Sequence, residues 1–162
     1  MFEVLVFVYE NYWRGEACPE SQQLGRKLSA HGFDADEIAQ ALAWLDGLTL
    51  AAQNTELEVE PVSAGVASAR QSDTSLRVYC VAEQDHLGAQ CLGFVHFLDA
   101  AGVLPAPMRE IVIDRAMAAP GDPVSLDDFK IIVLMVYWSF GEEPDALVLD
   151  ELCDDAESRI AH

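Results

Sequence analysis

The chain has 162 residues, 51% of them apolar, and sets 28 Asp and Glu against nine Lys and Arg, a formal net charge of −19. That much apolar material excludes a wholly disordered chain. The longest clean apolar run, the eight residues Ile131–Trp138, is too short for a membrane-spanning helix.

The first segment, Phe2–Trp13, fits two patterns. Val4, Val6 and Val8 alternate like a strand, while Phe2, Leu5, Val6, Tyr9, Tyr12 and Trp13 share a helical face. No turn signal or partner strand follows closely, so helix is the reading. Pro19 and Ser21 then precede a helix with Leu24, Leu28 and His31 on one side, and Gly32 stands where a helix C′ residue belongs. Asp34, with Glu37 three residues on, offers an Asp version of the capping box. The helix it opens runs through Ala41, Leu42, Leu45 and Leu48. Two helices joined by so short a turn have the spacing of a helix-turn-helix.

Residues 55–75 change character. Glu56, Glu58 and Glu60 alternate with Leu57 and Val59, as in a short edge strand ended by Pro61. The Ala-, Ser- and Gly-rich stretch from Val62 to Ser75 reads as a flexible linker. Leu76–Cys80 alternates again, and the two short strands could pair as a wing. A helix starting near Ala82 buries Leu87, Cys91, Phe94, Val95 and Leu98 and stops at Gly102. Pro105 and Pro107 open another, with Met108, Ile111, Val112 and Arg115 on one side, ended by residues 120–123. Ser125, with Asp128 at N3, caps a helix whose interior, 131–138, is apolar all round, the pattern of an element buried on several sides. Gly141 stops it. Pro144 and Asp145 open a last helix with Leu149, Leu152, Cys153, Ala156 and Ile160 on one face and Asp150, Glu151, Asp154, Asp155 and Glu157 on the other.

The expected fold is therefore mainly α, with three segments: a three-helix, helix-turn-helix or winged-helix-like unit at 1–54, an edge strand and flexible linker at 55–75, and a four-helix bundle at 76–162 with, at most, a short two-stranded hairpin. The opening Met1-Phe2-Glu3-Val4-Leu5-Val6, the segments 41–45, 76–79 and 91–94, and Asp127-Asp128-Phe129-Lys130 running into 133–136 resemble the Smg family of bacterial proteins, in order and over nearly the whole chain. The resemblance implies a small, cytoplasmic, largely helical protein of unknown function, with no catalytic or ligand motif to carry over. It also strengthens the helical reading of residues 2–13.

The chemistry-bearing patterns are sparse. A recognition helix needs exposed cations and amides, yet residues 34–48 contain no Lys or Arg and present Asp36, Glu37, Gln40 and Asp46. Arg14, Arg26 and Lys27 are too few to reverse that repulsion. Cys80, His86, Cys91 and His96 have no metal-ligand spacing: on a helix, His86 and Cys91 stand about 140° apart. The four cysteines form no Cys-x-x-Cys pair and read as free thiols in a reducing compartment. Glu3 stands where an export signal requires positive charge, which makes the cytoplasm the expected location. There is neither a Gly-x-Ser-x-Gly nor a Gly-rich phosphate loop, so no enzyme, cofactor or metal is expected. The acidic excess peaks at 142–162, where eight acids face one base. Asp150, Glu151, Asp154, Asp155 and Glu157 are thus candidate contacts for a basic protein partner, such as a nucleic-acid-processing one. The alternative is a winged-helix-like regulator that touches nucleic acid directly.

Overall fold

The computed structural model describes residues 1–12, 20–59 and 77–142, side chains within 56–59 excepted. The described residues form six α-helices and no strand: α1 (Phe2–Tyr12), α2 (Ser21–Ala30), α3 (Ala35–Val59), α4 (Val81–Ala100), α5 (Ala106–Met117) and α6 (Leu126–Ser139).

α6 is the centre. It packs against α1, α3, α4 and α5, which is why a helix with apolar residues on every side is stable here. Phe129, Ile132, Val133, Met135 and Val136 are fully buried, each contributing roughly 1.5–3 kcal/mol by leaving water. Ser125 caps it as its sequence requires: Ser125 Oγ accepts the Asp128 N–H at 3.1 Å and donates to Asp128 Oδ2 at 2.7 Å. Tyr137, whose phenol is shifted upward by burial, donates its hydroxyl proton to the Val103 carbonyl and ties α6 to the turn after α4.

α1 is valine-rich yet helical because Val4, Leu5, Val8 and Tyr12 make one buried stripe, and burial outweighs the weak β preference of valine. α2 and α3 meet at a tight turn. The Gly32 N–H bonds to the Ser29 carbonyl at 3.1 Å and the Phe33 N–H to the Leu28 carbonyl at 3.3 Å, a Schellman stop. The same pair of bonds closes α4 at Gly102 and α6 at Gly141. At all three sites φ is positive, the conformation that favours glycine.

Several expectations change. α3 runs to Val59, so residues 55–59, read as an edge strand, are helical. A period-two pattern over five residues is too short to halt a helix already propagating from Ala35, because each added residue costs far less than a new nucleus. Residues 77–80, read as a second strand with Leu76, form neither strand nor helix. Their ladder is replaced by side-chain bonds: Gln84 Nε2 donates to the Tyr79 carbonyl at 2.7 Å, and Glu83 Oε2 accepts the Cys80 N–H at 2.8 Å. Among the described residues there is thus no wing. Asp34 does cap α3, accepting the Asp36 N–H at 2.9 Å, but Glu37 does not close the box: its Oε1 instead meets the Met1 ammonium at 3.3 Å. α4 is broken at Gly88, where the backbone takes φ 67° and ψ 171°. One buried cluster draws on every described helix, on both sides of residues 60–76. The expected linker beyond Val59, through Ser75, and the last helix from Pro144 lie outside the described residues.

Candidate functional site

The five acids singled out from the sequence, Asp150, Glu151, Asp154, Asp155 and Glu157, lie outside the described residues. What the described residues do settle is where the positive charge goes.

Arg77 lies just ahead of α4. Its NH1 and NH2 fork onto the two Glu83 carboxylate oxygens at 3.1 and 2.8 Å, and its Nε reaches Glu110 at 2.9 Å. The guanidinium also lies over the Tyr79 ring, 4.5 Å from its centroid. The hydrogen bonds that Arg77 donates hold the Glu83 carboxyl at about 2, and their acceptance by Glu83 raises the guanidinium above its already high value. Burial raises the Tyr79 phenol, against the lowering effect of Arg77 and Arg109. Arg109, almost wholly buried on α5, bonds Asp99 at the end of α4 at 3.0 Å and Glu110 at 3.2 Å. Arg115 pairs with Asp114 at 2.6 Å, and its guanidinium lies against the Gly47 backbone, where a Cβ would meet it at 2.0 Å. Lys130 is buried beneath the Phe94 ring.

Four of the six described cations are therefore committed to ion pairs or to the core. Arg26 and Lys27, neighbours on α2, are the two that lie exposed, and Lys27 donates to Tyr12 Oη at 3.2 Å. The second helix of the helix-turn-helix-like pair opposes a polyanion: Asp34, Asp36, Gln40 and Asp46 are exposed along it, with Glu37 half-buried. Sequence reasoning missed the Arg77–Glu83–Glu110 and Arg109–Asp99 network. Its members belong to separate elements, and no periodicity announces a charged residue that turns inward.

Of the four groups weighed as a metal site, His86 and Cys91 are engaged otherwise and Cys80 and His96 lie exposed. His86 Nε2 lies 3.1 Å from the Ala116 carbonyl, and Cys91 Sγ donates to the Val124 carbonyl at 3.5 Å. Burial pushes the Cys91 thiol up to about 11, which keeps it protonated and unreactive at neutral pH. Cys80 is exposed. No group of three or more His, Cys, Asp or Glu among the described residues is placed to hold a metal ion. No described helix is long and apolar enough to cross a membrane. An open cleft of about 430 Å³ between α3 and α5 is lined by Ala51, Thr55, Ala106, Pro107, Glu110, Ile111 and Asp114. Its two carboxylates are the ones already held by Arg77, Arg109 and Arg115, so it brings together no nucleophile and base.

A family model described as "Protein of unknown function (DUF494)" matches residues 1–162. Among curated proteins, the chain is 58% identical over 162 residues to the Protein Smg homolog of Leptothrix cholodnii. It is 57% identical over 162 residues to that of Methylibium petroleiphilum and 49% identical over the same length to that of Bordetella pertussis. Each match covers 100% of both chains. No solved structure matches.

Proposed function

The chain belongs to the DUF494 family, that of the Smg homologues, and from that premise we propose that it is a non-enzymatic protein that works by contact with a basic protein partner. The observation that carries this reading is the disposition of charge. The chain has a net charge of −19, and four of the six described cations are already committed to carboxylates or to the core. Such a surface repels phosphate backbones, whose binding depends on releasing counterions to cations. It attracts positively charged proteins and speeds their association. A nucleic-acid-processing protein has the matching surface, the one it keeps for phosphates. The acids at Asp150, Glu151, Asp154, Asp155 and Glu157 are the contact residues of this proposal.

Direct nucleic-acid contact through α2 and α3 would rest on Arg26 and Lys27 alone among the described cations. Fluorescence anisotropy with labelled duplex DNA and single-stranded RNA separates the two readings. No saturable binding is expected at physiological salt. Binding with a steep salt slope, abolished by Arg26→Glu with Lys27→Glu, would replace protein contact with nucleic-acid contact as the function.

A further inference from the structure

α6 is sheltered on more sides than the described helices enclose. They form an arc around it: α4 packs on α5, α5 on α3 and α3 on α1, and all four pack on α6. The two ends of the arc, α1 and α4, are not among the described helix pairs that pack closely. Yet every residue from Phe129 to Tyr137 is buried, and consecutive helical positions about 100° apart point in every direction. Asp127, Ile131, Leu134 and Trp138, at i, i+4, i+7 and i+11, make the face that keeps a trace of exposure. Ile131 is 8% and Leu134 6% exposed, against 3% or less for the other apolar side chains of 129–137, and Asp127 and Trp138 are half-buried. Lys130 borders this face on the α4 side, its ammonium 5.8 Å from the centroid of the Phe94 ring.

One stretch of the chain matches the opening between α1 and α4. Residues 143–162 follow directly from α6, whose stop at Gly141 lets the chain double back: the Gly141 N–H bonds to the Trp138 carbonyl at 3.0 Å and the Glu142 N–H to the Tyr137 carbonyl at 3.1 Å. Leu149, Leu152, Cys153, Ala156 and Ile160 have the spacing of one helical face. A helix over 145–160 would be about 24 Å long, and α6, with 14 residues, is about 21 Å. Laid back along α6, it brings Arg159, the one base of 142–162, to the first turn of α6, where Asp127 and Asp128 stand. The remaining stretches lack such a stripe: the large apolar residues are Val62, Val66 and Leu76 in 60–76, and Trp13 in 13–19. The open cleft between α3 and α5 presents Glu110 and Asp114 to a segment that is itself acidic.

We propose that the Asp127, Ile131, Leu134 and Trp138 face of α6, between α1 and α4, is the docking site of this chain's own residues 145–160, laid antiparallel to α6 as a further helix with Leu149, Leu152, Cys153, Ala156 and Ile160 inward. On that helix Asp150, Glu151, Asp154, Asp155 and Glu157 fall on the opposite side. Docking therefore holds the five acids outward as one ridge fixed to the core. This placement stands whether or not a partner reads that ridge.

NMR on the methyl-labelled full chain tests it. Nuclear Overhauser contacts are expected from the methyls of Leu149, Leu152 and Ile160 to those of Ile131 and Leu134. Iodoacetamide supplies a second readout, each thiol's native rate being normalised to its own rate in denaturant. Cys153, held against α6, is expected to react at least about tenfold more slowly than exposed Cys80, and Leu152→Glu to bring it to the Cys80 rate. Tail methyls in contact only with one another or with Thr55 and Ile111 of the α3–α5 cleft, or a native Cys153 as reactive as Cys80, would overturn the proposal. Neither readout involves a partner, so its failure is separate from failure of the protein-contact reading.

Discussion

Replacing Glu83 by Gln removes the charge that holds Arg77 against the start of α4. In the native chain the carboxylate takes two bonds from Arg77 and one from the Cys80 N–H. Its acidity is accordingly moved from 4.5 to about 2. At about 1.4 kcal/mol per pH unit, that displacement corresponds to about 3 kcal/mol of native-state preference for the ionised form. The pair touches solvent, with 19% of the Arg77 and 17% of the Glu83 side chain exposed, and Glu110 still holds Arg77 when Glu83 is neutral. The expected loss at neutral pH is thus about 1–2 kcal/mol. The sign with pH is fixed: a depressed carboxyl contributes fully above its unfolded value and loses that contribution as pH falls from 4.5 toward about 2. Urea unfolding followed by tryptophan fluorescence, on the native chain and Glu83→Gln in parallel, measures the gap directly. It should be widest at neutral pH and close progressively below pH 4.5. Because both proteins share every other carboxylate, the general relief of acidic repulsion cancels in the difference. A gap that is absent at neutral pH, or that persists unchanged into acid, would refute the reasoning.

Three further outcomes follow from the packing. Phe129→Ala empties a fully buried site on the central helix and should cost about 3–5 kcal/mol in the same urea assay; a loss below about 1 kcal/mol would mean that α6 is not central. Ser125→Ala removes the N-cap bond and the side-chain bond to Asp128 and should cost about 1 kcal/mol, with Ser125→Asp restoring most of it. Peptide-mapped alkylation at neutral pH should label exposed Cys80 promptly and leave Cys91, buried and protonated, unmodified until denaturant is added; prompt labelling of Cys91 would contradict its placement in the core.

The sequence carried most of this architecture, and for identifiable reasons. The eight-residue apolar interior of α6, the Ser125 and Asp128 pair and the three glycine stops at 32, 102 and 141 are local signals, and each does in the fold what its chemistry predicts. Where reading failed, the deciding partner was in most cases distant. Glu37 has the spacing of a capping box, but the Met1 ammonium, 36 residues away, takes its carboxylate. Residues 55–59 alternate like a strand, but the helix preceding them continues. The break in α4 leaves the apolar stripe in phase, so no periodicity could reveal it; it is visible only once Val124 is seen on the His86 carbonyl. The buried Arg109 was equally hidden, because its partner Asp99 lies on another helix.

Affinity purification of the full chain from nuclease-treated native lysate, run at low and at high salt beside a variant in which Asp150, Glu151, Asp154, Asp155 and Glu157 become Asn or Gln, tests protein contact most directly. The native chain should retain a basic protein at low salt and release it at high salt, and the neutralised variant should fail to retain it at either. Retention that ignores both salt and the five substitutions, or a bound species that proves to be nucleic acid, would contradict the account.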